Sequence, residues 1–144
     1  MARILIIDDE QGIRRPLQIL LERAGHQVMA ASDGQEGLRL WRSFGADLVI
    51  TDIMMPNKDG IETIVELRTS APPVPVIAMS GGDISQRLDL LADARLLGAV
   101  HTVPKPFAIS ELLEKIRQVL SPRLETRAEP VQGTVRARRT GSGG

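Results

Sequence analysis

The sequence predicts an α/β fold, in which a single doubly wound, five-stranded parallel sheet of order 2-1-3-4-5 carries five helices. Three observations predict it. Short apolar runs alternate five times with stretches of helical periodicity. The apolar runs are continuous, as is typical of strands covered on both faces. The connections between them are short, and right-handed crossovers then leave few topologies for parallel strands.

The strands are predicted from the apolar runs in chain order. The first covers Ile4 to Ile7 and the second covers Val28 to Ala31. The third begins at Leu48 and runs into Thr51 and Asp52. The last two are expected at 76–79 and 99–103.

The helices are predicted from apolar spacing and from their stop signals. The first ends at Gly25, and the second opens at Asp33 and Gly34. Ala71-Pro72-Pro73 ends the third, and Gly98 stops a leucine-rich fourth helix over about 84 to 97. Pro122 is expected to close the fifth. In the second helix, the residues expected to face inward are Leu38, Trp41 and Phe44.

Length and charge divide the chain into a domain at 1–121 and a tail at 122–144. The 144 residues suffice for one domain, and the hydrophobic fraction of 42% suffices for a core. Residues 121–144 carry five arginines and two glutamates, a net charge of +3 that balances −3 on the rest. This composition predicts a disordered basic tail or linker. Scattered arginines without aromatic residues are only weak evidence for nucleic-acid binding.

Several classes of protein are excluded by composition. The chain has no cysteine, which excludes a disulfide framework and cysteine-ligated metals. The two histidines, His26 and His101, lack metal-ligand spacing. The apolar run near the N-terminus is too short for a signal peptide or a membrane span, so a cytoplasmic protein without a membrane partner is expected.

Polar residues follow four of the predicted strands, at the edge of the sheet where ligands bind in open α/β folds. Because strands one and three are neighbours in the predicted order, their acids should crowd together. Each residue alone would be read as a turn, a helix cap or a surface charge, and only their joint occurrence points to a site. The residues delivered are Asp8, Asp9 and Glu10 from strand one, Asp52 from strand three, Ser80 from strand four and Lys105 from strand five.

Crowded carboxylates repel one another, and a hard divalent cation such as Mg²⁺ relieves that repulsion. One carboxylate could then attack a phosphoryl group and form an acyl phosphate. The metal and Lys105 would neutralise the transferring oxygens, while the Ser80 hydroxyl would donate to one of them. The predicted chemistry is therefore Mg²⁺-dependent phosphoryl transfer to an aspartate.

With these residues the chain resembles the receiver domain of two-component response regulators, a family that includes the chemotaxis regulators. The resemblance implies a flavodoxin-like fold. The resemblance spans about residues 3 to 120. The order, spacing and strand placement of its motifs all agree. The motifs are Ile-Ile-Asp8-Asp9-Glu10, Thr-Asp52-Ile-Met-Met55-Pro56 with Gly60 following, Met-Ser80-Gly, and Lys105-Pro106-Phe107.

The resemblance implies a role for each matching residue. Asp52 is the phosphoacceptor and a metal ligand, Asp9 binds Mg²⁺ directly, and Asp8 binds it through water. Met54 offers its backbone carbonyl to the metal. Ser80 senses the phosphoryl group. Lys105 contacts that group, and the peptide bond between Lys105 and Pro106 is expected to be cis.

The sequence departs from the family pattern beside the lysine. Thr102 stands where an aromatic or histidine switch residue is usual, with His101 next to it. Three explanations stay open: Thr102 does a reduced version of the job, His101 substitutes, or loop shifts carry the output. Pro104 also precedes the lysine, which stiffens the loop and removes a backbone donor.

The implied function is a phosphoacceptor that assists its own phosphotransfer and dephosphorylation, rather than an enzyme with a separate substrate. The implied partner is a histidine kinase or a histidine phosphotransfer protein. An output partner or a second copy is expected on the face formed by the fourth helix, fifth strand and fifth helix. The alternatives are a non-phosphorylated scaffold, an N-terminal part of a longer DNA-binding regulator, and an aspartate-nucleophile phosphohydrolase, against which the adjacent Asp8-Asp9 pair argues.

Overall fold

A computed structural model of the protein describes residues 2–53, 60–81 and 91–128. Its five parallel strands form one sheet in the order β2-β1-β3-β4-β5, which confirms the predicted topology. The strands are β1 (Arg3–Ile7), β2 (Gln27–Ala31), β3 (Leu48–Asp52), β4 (Val76–Ser80) and β5 (His101–Pro104). The last strand thus begins two residues later than predicted.

Helices lie on both faces of the sheet, as the continuous apolar strands require. They are α1 (Gln11–Arg23), α2 (Gly34–Phe44), α3 (Gly60–Arg68), α4, of which residues 91–96 are described, and α5 (Ile109–Ala128). Among the described residues, no helix is both long enough and apolar enough to cross a membrane.

Two hydrophobic cores fill the space between the sheet and its helices. On one face, Leu17 of α1 and Leu112 of α5 pack with Ile50 of β3. On the other face, Leu38 of α2 and Ile64 of α3 pack around β1, β3 and β4. Because successive strand residues point to opposite faces, each central strand supplies both cores.

Two predictions about the helices are wrong. The Phe44 side chain is 58% exposed instead of inward, because the helix ends at that residue and Gly45 turns the chain away at a φ of 73°. The last helix does not stop at Pro122 but continues to Ala128. The φ of proline is itself helical, so the ring removes one backbone hydrogen bond without forcing a turn. The predicted tail therefore begins inside α5, and 129–144 lie outside the described residues.

The leucines of α4 divide between core and surface. Leu91 is buried, whereas Leu96 is 85% exposed and Leu97 is 40% exposed. Leu88 and Leu90, which belong to the same predicted helix, lie outside the described residues. An exposed apolar edge on α4 therefore exists in the part of the helix that the structure describes.

Candidate functional site

The carboxyl ends of four strands bring the predicted polar residues to one edge of the sheet. Asp8 follows β1 directly, and Asp52 is the last residue of β3, which pairs with β1. Ser80 ends β4, and Lys105 follows β5. The Lys105 backbone N–H donates to the Ser80 carbonyl at 2.7 Å, so the β4–β5 pairing holds the lysine at this edge.

The ammonium of Lys105 lies among three carboxylates. Its Nζ atom donates to Asp8 Oδ2 at 2.9 Å, to Glu10 Oε1 at 3.0 Å and to Asp52 Oδ2 at 3.1 Å. Burial by itself lowers the pKa of Lys105, but the hydrogen bonds to Asp8 and Glu10 and the charge of Asp52 outweigh it and raise the pKa above its ordinary value. The lysine is therefore a fixed positive charge at neutral pH.

The side chain of Asp8 is completely buried. Burial raises the pKa of its carboxyl above the ordinary value; the bond from the Glu10 N–H, 2.8 Å from Asp8 Oδ1, and the Lys105 ammonium oppose this only in part. A buried carboxylate in this condition gains from further positive charge.

Glu10 is the site residue that sequence reasoning missed. The run of acids after β1 included it, but the family motif assigned roles only to the two aspartates before it. The signal that could have revealed Glu10 is its position at the N-cap of α1, because the N-terminus of that helix lies at this edge of the sheet. Only the packed structure shows that its side chain reaches Lys105, 95 positions away in the chain.

The acidic cluster fits a hard divalent cation. Asp8, Glu10 and Asp52 each offer a carboxylate oxygen, and these oxygens lie within 4.8 Å of one another. Oxygen donors of this kind are the ligands of Mg²⁺. Asp9 lies beside the cluster with an exposed side chain and outside this group of three. Met54, expected to offer its carbonyl, lies outside the described residues.

Two contacts fix the backbone that carries the aspartates. Arg14 Nη1 donates to the Asp8 carbonyl at 2.6 Å, which ties the end of β1 to the first turns of α1. Gly60 begins α3 directly against β3: a Cβ atom there would lie 2.2 Å from the Asp52 carbonyl oxygen and 2.4 Å from Ile53 Cα. Only glycine permits this approach.

The proposed switch residues lie on β5. Thr102 is half-buried and pairs with Ala78 of β4, and His101 beside it is half-buried too. Burial is the main cause that lowers the pKa of His101, with the charges of Lys115 and Arg95 acting in the same direction. The side chain of Ser80 is buried, and its hydroxyl donates weakly to the Gly81 carbonyl at 3.3 Å.

The peptide bond between Lys105 and Pro106 is cis, as the resemblance implies.

Comparisons with known proteins agree with this geometry. A family model described as the response regulator receiver domain matches residues 4–117. The response regulator MprA of Mycolicibacterium vanbaalenii is 40% identical over 120 residues, which cover 83% of this chain and 50% of that protein. The probable transcriptional regulator ycf27 of Guillardia theta is 42% identical over 119 residues, covering 82% and 45% of the two chains.

Solved structures show the same fold. A receiver domain protein from Clostridium thermocellum superposes with a TM-score of 0.78 at 32% identity, covering 88% of this chain and 99% of that one. The chemotaxis response regulator CheY4 of Vibrio cholerae gives a TM-score of 0.73 at 28% identity, covering 83% and 99%. The chain spans about half the length of the curated relatives it matches.

Proposed function

Since the chain belongs to the response regulator receiver domain family, we propose that Asp52 accepts a phosphoryl group in a Mg²⁺-dependent reaction. One observation carries this proposal. Asp52 ends the central strand β3 as a nearly buried carboxylate that shares the Lys105 ammonium with Asp8. The pocket thus holds a nucleophile, a fixed cation and further carboxylates within contact distance of that cation.

The transfer forms one bond and breaks one bond. An oxygen of Asp52 attacks phosphorus, and the bond from phosphorus to the donor breaks: the P–N bond of a phosphohistidine or the P–O bond of acetyl phosphate. The electron pair of that bond leaves with the imidazole, which takes up a proton, or with acetate. Attack by water on the acyl phosphate later returns the Asp52 carboxylate and inorganic phosphate.

Asp52, Asp9 and the Met54 carbonyl would hold Mg²⁺ directly, with Asp8 holding it through water. When bound, Mg²⁺ supplies positive charge that offsets the crowded carboxylates and the phosphoryl oxygens. The raised pKa of Asp8 supports the need for such a cation.

Lys105 and Ser80 would stabilise the transferring group from the side of β4 and β5. The lysine is charged and held by its backbone bond to Ser80, so it needs only a side-chain movement to meet a phosphoryl oxygen. The Ser80 hydroxyl would turn from the Gly81 carbonyl to the same group. In this role the protein is a phosphoacceptor that assists its own transfer and hydrolysis, rather than an enzyme acting on a second substrate.

Output would pass through Ser80 to Thr102 or His101 on the neighbouring strand, or through shifts of the backbone and loops beside them. The exposed apolar side chains next to that strand support an output partner or second copy on the face formed by α4, β5 and α5. These side chains are Leu96, Leu97 and Val100. The phosphoryl donor would be a histidine kinase or a histidine phosphotransfer protein.

A longer DNA-binding regulator is the second candidate for the whole protein. The observation that favours it is that the matched relatives are about twice as long as the aligned region, and one of them is a probable transcriptional regulator. In that arrangement α5, which continues to Ala128, would lead to the output domain.

Intact-mass spectrometry after incubation with acetyl phosphate tests the proposed acceptor. Wild type with Mg²⁺ should gain one phosphoryl group, and wild type without Mg²⁺ should not. Asp52→Asn should gain none, whereas the matched control Asp93→Asn, an exposed residue of α4, should behave as wild type. A folded wild-type protein that binds Mg²⁺ yet gains no phosphoryl group would instead support the scaffold alternative.

A further inference from the structure

Among the described residues, three carboxylates contact the Lys105 ammonium. A lysine side chain carries three N–H donors and no acceptor. Asp8, Glu10 and Asp52 each place an oxygen within 3.1 Å of Nζ. Because these described contacts alone match the three donors, a phosphoryl oxygen that comes to Lys105 has to displace an existing contact.

The three contacts differ greatly in what it costs to break them. The side chains of Asp8 and Asp52 are 0% and 6% exposed, so releasing either would leave a buried carboxylate with less compensation. The Glu10 side chain is 59% exposed, and its carboxylate would pass into water when released. The contact with Glu10 is therefore the one that an incoming oxygen displaces most easily.

The Glu10 side chain does not cap the helix that it precedes. Glu10 is the N-cap residue of α1 and makes no side-chain bond to the first backbone N–H groups of that helix. Glutamate is not among the residue types favoured at this position, so its side chain reaches Lys105 without giving up a capping bond.

From these contacts we propose that Glu10 is a positioning residue that occupies, on the Lys105 ammonium, the place a phosphoryl oxygen takes during transfer. This inference rests on the proposed function of Asp52. In the unphosphorylated protein, Glu10 contacts the Lys105 ammonium from the solvent-exposed side of the pocket. The phosphoryl oxygen replaces the Glu10 carboxylate, which moves into water, while Asp8 and Asp52 stay in place.

Three variants separate this contact from a general effect of charge. Glu10→Gln removes the carboxylate. Glu10→Asp keeps the charge but shortens the side chain by one methylene, and aspartate at an N-cap is drawn to the helix N–H groups. Glu22→Gln removes one negative charge from the exposed far end of α1 and serves as the matched control.

The rate of phosphorylation is measured at increasing acetyl phosphate concentration in the presence of Mg²⁺. Glu10→Gln and Glu10→Asp should both lower the half-saturating concentration about two- to five-fold, the factor expected for loss of one exposed competing ion pair. Asp52 and Lys105 are intact in both variants, so the half-saturating concentration should change by a larger factor than the limiting rate does. Glu22→Gln should match wild type.

A second measurement reports the contact without any reaction. The chain has three lysines, Lys58, Lys105 and Lys115, so ¹⁵N spectra of the side-chain ammonium groups resolve each of them. In metal-free protein, the Lys105 signal should shift and its protons should exchange faster with water in both Glu10 variants. It should be unaffected in Glu22→Gln.

Each other outcome overturns the inference. An unchanged half-saturating concentration in Glu10→Gln, or an unmoved Lys105 signal, means that Glu10 does not occupy this place. If Glu10→Asp behaves as wild type while Glu10→Gln does not, the effect comes from charge alone. A wild-type protein that takes up no phosphoryl group defeats the proposed function as well, which separates that failure from failure of the inference.

Discussion

At the scale of single residues, the site is a balance between one ammonium and several carboxylates. The Asp8 side chain is completely buried, and the Lys105 ammonium offsets that burial only in part, since the pKa of Asp8 stays raised. The charged form of such a carboxyl costs the folded state free energy.

Asp8→Asn in metal-free protein should therefore raise the free energy of unfolding at pH 7. The folded-state pKa of Asp8 lies above its unfolded value of 3.8, so the charged form opposes folding once the pH exceeds that value. The neutral amide removes this penalty, and the gain should shrink as the pH is lowered towards 3.8. Urea unfolding between pH 4 and pH 7 measures it. A less stable Asp8→Asn protein at pH 7 would contradict the argument.

At the scale of elements, close packing of α3 on β3 fixes the backbone of Asp52. Gly60 donates its N–H to the Ile53 carbonyl at 2.7 Å and approaches the Asp52 carbonyl more closely than any other residue type could. The start of α3 is therefore held against the end of β3, where Asp52 lies.

Gly60→Ala should destabilise the protein and slow the phosphorylation of Asp52, because the added Cβ must push α3 away from the end of β3. The matched control, Gly12→Ala, should have the opposite effect on stability. Gly12 lies in the first turn of α1 with nothing within 4 Å of an added Cβ, so Gly12→Ala should stabilise the protein by about 0.5–1 kcal/mol. Unfolding by urea and the acetyl phosphate reaction measure both variants. Equal effects of the two substitutions would show that the close approach is unimportant.

At the scale of the whole molecule, one sheet separates two cores and places the site at the edge between them. Consecutive residues of β3 serve both sides: Val49 belongs to the core under α2, α3 and α4, and Ile50 to the core under α1 and α5. Side chains outside both cores contribute little to folding. The exposed Phe44 at the end of α2 is such a side chain.

Ile50→Ala should lower the free energy of unfolding by about 2–5 kcal/mol, because it opens a cavity in a fully buried position. Phe44→Ser should change it by only about 0.5 kcal/mol, since that ring is 58% exposed. Denaturant unfolding followed by circular dichroism compares the two. A large loss in Phe44→Ser would mean that another surface covers this ring.

Sequence patterns alone predicted the topology and most of the site. Continuous apolar runs specify buried strands, and the rules of parallel connection leave few topologies, of which the predicted order brings the ends of β1 and β3 together. The sequence therefore predicts Asp8, Asp52 and Lys105 at one edge of the sheet. This succeeds because strand ends depend on local periodicity and on topology, both of which the chain displays directly.

Only the tertiary structure decided which side chains meet and which positions admit no Cβ. Packing between distant segments brings the side chain of Glu10, rather than that of Asp9, to Lys105. It also brings Gly60 so close to the Asp52 carbonyl that no Cβ fits there. Such contacts depend on the directions of side chains and on interatomic distances shorter than the spacing between residues. Local sequence patterns do not contain this information, because the two partners of each contact come from different elements.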